Sequence, residues 1–366
     1  MSKEKIQISP VQLTFLCITL VISTADIFLP SFVAQEAKRD SWISVILSAL
    51  MMIPVVFIQL KLCSNHKGKC LVEICTETVG SFVGRIIGIL YAFYFLVIVI
   101  GAIISLSIVL NIAFLDLTPP WVIVVISILV VIYGAGKDLE VIARVNEILL
   151  PAGIGTLVFL LLLNVNEYDF NFYRPVLADG IIPPLRGSII ILGYLAETVV
   201  ILQMVHFINK PEKVNAAVFT GLLVTCAGIL AGTLIYAVFG PLTEIFVIPS
   251  LELARFSSIG KYIQNLDVFI LAIWITGIYV KIMIFIYSGS YTLAQIFKLK
   301  DYKSVIFPIG FFISGIAVST INERVTELDF MHYIIPVYSI VMALFIPGIL
   351  LVVSIIRKRG KGEKRK

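Results

Sequence analysis

Ten apolar stretches, each 17 to 29 residues long, fill most of this sequence and constrain its fold more than any other feature. A helix needs about 20 apolar residues to cross the roughly 30 Å hydrocarbon core of a bilayer. A backbone inside hydrocarbon must also satisfy its own hydrogen bonds. The sequence therefore predicts an all-α integral membrane protein with ten transmembrane helices and little mass outside the membrane. The predicted spans are 11–33, 42–60, 82–110, 119–136, 141–163, 188–208, 215–240, 266–294, 304–320 and 331–356.

The composition excludes several classes of function. Hydrophobic residues make up 59% of the 366 residues and charged residues 14%, whereas a soluble domain is about 25% charged. A soluble enzyme, a disordered regulator and an ordinary nucleic-acid binder are therefore excluded. The net charge of +5 owes much to the tail 357–366, which holds seven basic residues. Such a cluster next to a span is typical of a cytoplasmic end that contacts anionic lipid.

No pattern of residues predicts an enzyme, a metal site or a cofactor. The sequence lacks a Gly-rich phosphate loop, an H-E-x-x-H motif and a Ser/His/Asp arrangement. The five cysteines are odd in number and fit no disulfide framework. Cys63, His66, Cys70 and Cys75 cluster in one connection but lack the C-x-x-C knuckle of a zinc site.

The distribution of Lys and Arg predicts the orientation. One side, which we call the basic side, holds both termini and four of the nine connections, and it carries 20 of the 28 basic residues. The opposite side carries seven, and Lys281 lies inside a span. The positive-inside rule then places both termini in the cytoplasm. The connections on the basic side are those near 61–85, 137–144, 209–213 and 298–303.

Two irregular spans indicate an internal repeat of five plus five spans. Span 1 contains Ser23-Thr24-Ala25-Asp26 followed by Pro30, and span 6 contains Gly193 to Glu197. Both are predicted to be interrupted near mid-depth, and spans 3 and 8 are both unusually long. An odd number of spans per half inverts the second half, and paired interrupted helices in an inverted repeat indicate a transporter-type binding site. The alternative is that Gly and Pro are simply common in membrane helices.

Four ionisable residues within or at the ends of spans are candidate functional groups: Asp26, Glu147, Glu197 and Lys281. Charges at mid-bilayer are costly and usually face a cavity or each other. Lys281 is predicted to be a fixed internal cation or a titrating group, or else a snorkelling or structural lysine. Glu197 is predicted to bind a ligand amine or carry a proton, or else to form a structural pair with Lys281. Asp26 is predicted to lie at the outer end of the break or to cap a helix.

Glu140, Arg144 and Glu147 follow one another at i, i+4 and i+7 at the start of span 5. Such spacing commonly stabilises a helix end. Arg144 and Glu147 are also candidates for an inner gate.

Several segments make the chain resemble the spore-germination permease family, the B-type membrane subunits of nutrient germinant receptors. That family belongs to the amino acid–polyamine–organocation superfamily. The resemblance covers nearly the whole chain, and the order of its segments over ten spans carries it. The segments are ISPVQL, STADIFLP, DSWIS, DLEVIARVNEILLP, YRPVLADGIIPPLRGS and PSLELARFSSIGKYIQNLDVFILAIW.

The resemblance implies a LeuT-like inverted-repeat fold with broken helices 1 and 6. Repeat one would cover about 8–163 and repeat two about 185–320, followed by the final span 331–356 and the tail 357–366. It also implies a nutrient ligand bound at the centre, usually an amino acid and sometimes a sugar or nucleoside. Partner A-type and C-type subunits in the spore inner membrane are implied as well. Lys281 would then replace a sodium ion that bridges spans 1 and 8 in relatives of this architecture.

The resemblance also implies which residues bind the ligand, with help from spans 3 and 8. Relatives often carry glycines where this chain has Ser23-Thr24-Ala25, so side chains here are expected to narrow the pocket and add hydroxyl groups. Residues 241–262 are expected to form an outer lid with Pro249 and Glu252 at its turn, or else an ordinary amphipathic loop. The implied ligand-binding residues are Ser23, Thr24, Ala25, Asp26, Gly193, Tyr194, Ala196 and Glu197.

Two functions remain open from the sequence. One is a receptor subunit that binds a small nutrient and triggers germination with its partners. The other is a proton-coupled amino-acid transporter in which Glu197 or Lys281 titrates. The fold by itself does not distinguish them.

Overall fold

The described part of the chain is helical throughout. The computed structural model describes residues 7–257, 267–321 and 324–363. Short 3-10 turns and two π-helical turns, Phe330–Ile334 and Val341–Phe345, join the α-helices, and one isolated bridge pairs Ile8 with Ile208. The α-helices are α1 Pro10–Ala37, α2 Ser41–Asn65, α3 Leu71–Val79, α4 Ser81–Ala113, α5 Pro120–Ala135, α6 Leu139–Leu163, α7 Ile182–Ala196, α8 Ile201–Met204, α9 Val214–Gly232, α10 Ile235–Phe239, α11 Pro249–Phe256, α12 Asp267–Ile296, α13 Lys303–Thr320, α14 Arg324–Asp329, α15 Ile335–Ile340 and α16 Ile346–Glu363.

The helices agree with the predicted spans. Eight helical stretches in the described residues are long and apolar enough to cross a membrane. One of them, Pro10–Asn65, contains both α1 and α2, which a single 3-10 turn separates. The helix α5 has 16 residues and is about 24 Å long at 1.5 Å per residue. Every predicted span thus has a helical counterpart, and the count of ten crossings stays a prediction.

The predicted interruption of span 1 is wrong. The helix α1 begins with Pro10 at its first position, and Ser9 and Gln12 form a capping box there. It then runs as one helix through Ser23 and Asp26 to Ala37. No glycine lies between Ser23 and Asp26, and the Thr24 hydroxyl bonds to another helix instead of competing for backbone groups. For the same reason Asp26 is not a helix cap.

The predicted irregularity of span 6 is present. The helix α7 ends at Ala196, and a tighter 3-10 turn, Glu197–Val200, follows directly. The span continues as α8 and finishes in a second 3-10 turn, Val205–Phe207. The helical winding therefore changes at Glu197, which is one of the predicted functional residues.

Contacts between connections agree with the predicted division of the chain between two sides. On the basic side, the Ile8 amide donates to the Phe207 carbonyl at 3.0 Å, and Lys303 Nζ lies 3.2 Å from an Asp138 oxygen. On the opposite side, Asn164 Nδ2 donates to the Ser257 hydroxyl at 2.6 Å. Each contact joins connections that the count of basic residues had assigned to one side.

The helix α1 lies at the centre of the packing. It contacts α9, α7, α12 and α6, and most of its side chains are buried. The two longest helices, α4 with 33 residues and α12 with 30, pack against each other. The length predicted for spans 3 and 8 is confirmed. This arrangement places the polar residues of span 1 against the middle of span 8.

Candidate functional site

A buried ion pair joins spans 6 and 8. Lys281 Nζ lies 2.6 Å from Glu197 Oε2, and their side chains are 2% and 3% exposed. The Lys281 ammonium also donates a hydrogen bond to Thr24 Oγ1 at 2.7 Å. Three predicted functional residues, from spans 1, 6 and 8, therefore meet at one point inside the protein.

The ammonium does not use all of the hydrogen-bonding capacity of the carboxylate. Glu197 Oε2 meets Lys281 as an ion pair, without an aligned hydrogen bond, and no other donor among the described residues bonds to it. Buried polar atoms are almost always hydrogen-bonded. The pair is neutral overall, and it remains neutral when one proton moves from Nζ to the carboxylate. It can therefore accept a polar group or exchange a proton.

Two phenols lie close to this pair. Tyr94 on span 3 and Tyr194 on span 6 are near enough for the Glu197 charge to act on them. The Tyr94 hydroxyl donates to Ser339 Oγ at 3.1 Å, which connects the region to span 10. Ala196, which precedes Glu197, is buried. The structure thus brings Tyr194, Ala196 and Glu197 together at the change of winding in span 6.

Asp26 lies between two small cavities. It is buried, with 6% of its surface exposed, and the Trp274 side chain hydrogen-bonds to its carboxylate. A cavity of about 20 Å³ beside Ala25 and Asp26 has room for about one water molecule. A second cavity, of about 60 Å³, lies between spans 1, 5 and 8. Both are well below the roughly 300 Å³ of an ordinary ligand pocket.

The larger of these cavities contains polar atoms without partners. Ser23 Oγ and Asn146 Nδ2 line it, are buried, and accept or donate no hydrogen bond among the described residues. The other amide atom of Asn146, Oδ1, accepts from Thr19 Oγ1 at 2.7 Å. Such atoms indicate that a polar guest belongs there, because an unsatisfied buried donor or acceptor costs about 1–3 kcal/mol.

Span 1 and the predicted lid are joined at a backbone carbonyl. Pro30 has no amide hydrogen, so the carbonyl four residues earlier, that of Asp26, has no partner within the helix. The Ser250 hydroxyl of α11 donates to this carbonyl. Pro249 and Glu252 lie in this short helix, where a turn was expected, and Glu252 pairs with Arg255 at 3.2 Å. Residues 258–262 of the predicted lid lie outside the described residues.

Gly193 lies against span 10. A Cβ atom placed on it would lie 2.1 Å from the Pro336 Cα atom. Only glycine allows spans 6 and 10 to approach this closely, so the structure gives Gly193 a packing role. A ligand contact at this residue stays a prediction.

The predicted inner gate is only partly assembled. Arg144 pairs with Glu140 at 2.6 Å and is 69% exposed, so it does not pair with Glu147. Glu147 instead accepts a hydrogen bond from Gln12 Nε2 at 3.1 Å, which connects span 5 to span 1. The bridge at Ile8 joins the start of α1 to the end of span 6 on the same side.

Sequence reasoning missed Trp274 and Ser250. Trp274 lies seven residues before Lys281, which is about two helical turns, so helical spacing alone would have placed both on one face. The hydrogen-bond partner of Ser250 lies in span 1, more than 200 residues away, and no local sequence pattern predicts this contact.

The cysteine and histidine cluster forms no evident metal site. No group of three or more potential metal ligands occurs among the residues that the structure describes. Cys63, Cys70 and Cys75 are buried, and His66 Nδ1 lies 3.1 Å from the Leu62 carbonyl. Burial raises the pKa of the Cys70 and Cys75 thiols to about 12, so both stay protonated near neutral pH.

Comparison with known proteins gives a family match along most of the chain. A family model described as "Spore germination protein" matches residues 7–324. The spore germination protein YndE of Bacillus subtilis is 26% identical over 97% of this chain and 98% of its own length. The spore germination protein XB of Bacillus anthracis is 26% identical over 85% of this chain and 87% of its own.

Solved structures with the same fold include transporters. MhsT in complex with L-phenylalanine superposes with a TM-score of 0.70 over 96% of this chain and 99% of its own, at 13% identity. Mhp1, a nucleobase-cation-symport-1 family transporter, gives a TM-score of 0.64 over 95% and 78%, at 16% identity. These likenesses confirm the LeuT-like fold. The eight long apolar helical stretches support a multi-pass membrane protein.

Proposed function

The chain belongs to the spore germination protein family, and we propose that it is the membrane subunit of a nutrient-germinant receptor. In this proposal it binds a small nutrient, an amino acid, beside Thr24, Glu197 and Lys281, and the bound state triggers germination. A-type and C-type subunits in the spore inner membrane respond to the ligand-bound conformation. Both termini of this chain lie in the cytoplasm. The residues implied by resemblance, from Ser23 to Asp26 and from Gly193 to Glu197, are the proposed ligand shell.

The observation that carries the proposal is the meeting of three spans at one buried ion pair. Lys281, Glu197 and Thr24 form a buried polar centre. This centre connects span 8 to spans 1 and 6, the two spans with the most irregular sequences. Two groups near it can still take part in a hydrogen bond. One is the Glu197 carboxylate, whose acceptor capacity Lys281 does not use up, and the other is the buried Ser23 hydroxyl in the cavity beside span 1, which has no partner among the described residues. In this proposal the ammonium of an amino acid meets the first group and its carboxylate meets the second.

The described conformation is closed around this centre. Its cavities of about 20 and 60 Å³ are too small for an amino acid. Binding therefore requires the helices to separate, and the Ser250 hydrogen bond to Asp26 is one contact that must break on the opposite side. A ligand that prefers the separated state shifts the equilibrium by its differential affinity for the two states. That shift is the signal in the receptor proposal.

A proton-coupled amino-acid transporter is the second candidate. Two features support it: the ion pair can move a proton within itself, and the solved structures of similar fold include transporters. A receptor needs no net movement of ligand across the membrane, whereas a transporter does. Uptake of labelled amino acid into proteoliposomes separates the two.

Germination of spores that lack the gene tests the proposal. We expect loss of response to one nutrient class and recovery with the intact gene. Complementation with Lys281→Met should fail, while Lys61→Met, an exposed lysine on the basic side, should restore the response. Membrane levels of each protein are measured by immunoblot. A normal response from Lys281→Met at normal protein level contradicts the proposed role of the pair.

A further inference from the structure

A third cavity lies apart from the central ion pair. It has a volume of about 330 Å³ and opens on the side opposite the termini, between the end of span 1 and the starts of spans 6 and 10. Its charged and polar lining consists of Glu36, Arg186, His332 and Tyr333. Ordinary small-molecule sites begin at about 300 Å³, so this cavity has the size that the central cavities lack.

The imidazole of His332 is held rigidly at this cavity with an unused nitrogen. Its ring stacks on Phe32 with 4.7 Å between centroids and on Tyr333 with 4.1 Å. The residue is 3% exposed, and its Nε2 atom has no hydrogen-bond partner among the described residues. Glu36 Oε1 lies 3.9 Å from Nε2, too far for a hydrogen bond. A polar guest in the cavity would supply the missing partner.

The two charges at this cavity are separate. Arg186 is exposed and has no ion pair with any residue in the described ranges, Glu36 included. A guanidinium binds a carboxylate or phosphate through two parallel hydrogen bonds. The Glu36 carboxylate lines the same cavity, where it can accept a hydrogen bond from a cation. A cation and an anion that do not neutralise each other match a guest that carries both charges.

We infer that this cavity is a second binding site, for a zwitterion that carries an anionic group and a primary ammonium group. Arg186 holds the anionic group, Glu36 holds the ammonium, and His332 Nε2 bonds to one of them. Ile190 and Pro336 supply apolar wall for a hydrocarbon portion. A free apolar amino acid has this chemistry, and so does the headgroup of phosphatidylethanolamine. The site goes beyond the proposed receptor function and does not depend on it.

Two measurements on the full-length protein distinguish these sources. The first is equilibrium binding of tritiated L-leucine to protein in phosphatidylglycerol nanodiscs, a lipid without ammonium groups. The second is native mass spectrometry of phosphatidylethanolamine retained from native membranes. We expect one of the two ligands to bind. 4-Methylpentanoate and isoamylamine, which each lack one charge of leucine, should compete poorly if leucine is the ligand.

Matched variants assign the binding to this cavity. Arg186→Gln and Glu36→Gln should each weaken binding at least about tenfold, since a hydrogen bond to a charged group is worth that much or more. Arg174→Gln, an exposed arginine on the same side, should leave binding unchanged. Gel filtration verifies that each variant is folded.

Either of two results would overturn the site. One is that neither leucine nor phosphatidylethanolamine is retained, or that Arg186→Gln binds like Arg174→Gln. The other is leucine binding that survives Arg186→Gln and weakens in Thr24→Val, a variant at the centre. That second result would place the ligand at the centre, so it would support the proposed receptor function while refuting the second site.

Discussion

Removal of Lys281 should destabilise the protein far more than removal of the whole ion pair. In Lys281→Met the Glu197 carboxylate stays buried, 3% exposed, without its cation. Breaking a buried pair in this way costs about 3–5 kcal/mol, whereas replacing both partners with apolar groups is often neutral. The double variant Lys281→Met/Glu197→Leu should therefore recover most of the stability that the single variant loses.

The size of the effect can be given as a melting temperature. At about 2.1 cal/mol/K per residue, the 366 residues have an unfolding entropy of about 0.8 kcal/mol/K. A loss of 3–5 kcal/mol then lowers the Tm by about 4–6 °C. Thermal unfolding of detergent-purified protein measures this for the wild type, both single variants and the double variant. Additive losses of stability, with the double variant worst of all, would show that the two residues are not coupled, because the effects of uncoupled residues add.

Four further predictions test the site and its surroundings. Ala25→Leu should fill the cavity of about 20 Å³ and abolish or change the nutrient response; wild-type sensitivity to every nutrient would contradict a site there. Ser250→Ala should release α11 from the Asp26 carbonyl and increase proteolysis near α11, and an unchanged cleavage rate would refute that anchor. Cys70 and Cys75, with pKa values of about 12, should resist maleimide at pH 7.5 until the protein is denatured. Because these thiols hold their protons more tightly when folded, stability should fall as the pH rises above about 9, and a flat profile would be the contrary result.

Apolar length and the placement of basic residues predicted much of the fold. Apolar length identified segments that are helical in the structure, because apolar side chains transfer favourably into the bilayer. The placement of basic residues grouped the connections by side, because charged side chains stay out of the bilayer. The long spans 3 and 8 and the change of winding at Glu197 were also visible in the sequence. For Glu197, a structural pair with Lys281 was one of the predicted alternatives, and the structure contains this pair. Opposite charges inside hydrocarbon are costly alone and therefore tend to pair with each other.

The continuous helix in span 1 could not be predicted, because it depends on distant partners. Thr24 bonds to a residue 257 positions away, and the carbonyl exposed by Pro30 is satisfied from α11. Local sequence shows the polar groups and the proline but not what satisfies them. Gly193 is a similar case, since its need for glycine comes from the backbone of Pro336 in another span.

The proposed function requires that the nutrient act beside Thr24, Glu197 and Lys281. Its most direct test is the nutrient concentration for half-maximal germination in spores that carry Thr24→Val, which removes the hydroxyl bonded to Lys281 at 2.7 Å. Thr156→Val is the matched control, since that hydroxyl bonds only to the Ala152 carbonyl of its own helix among the described residues. We expect a higher half-maximal concentration for one nutrient class in Thr24→Val and no change in Thr156→Val. Equal values for the wild type and both variants would contradict it.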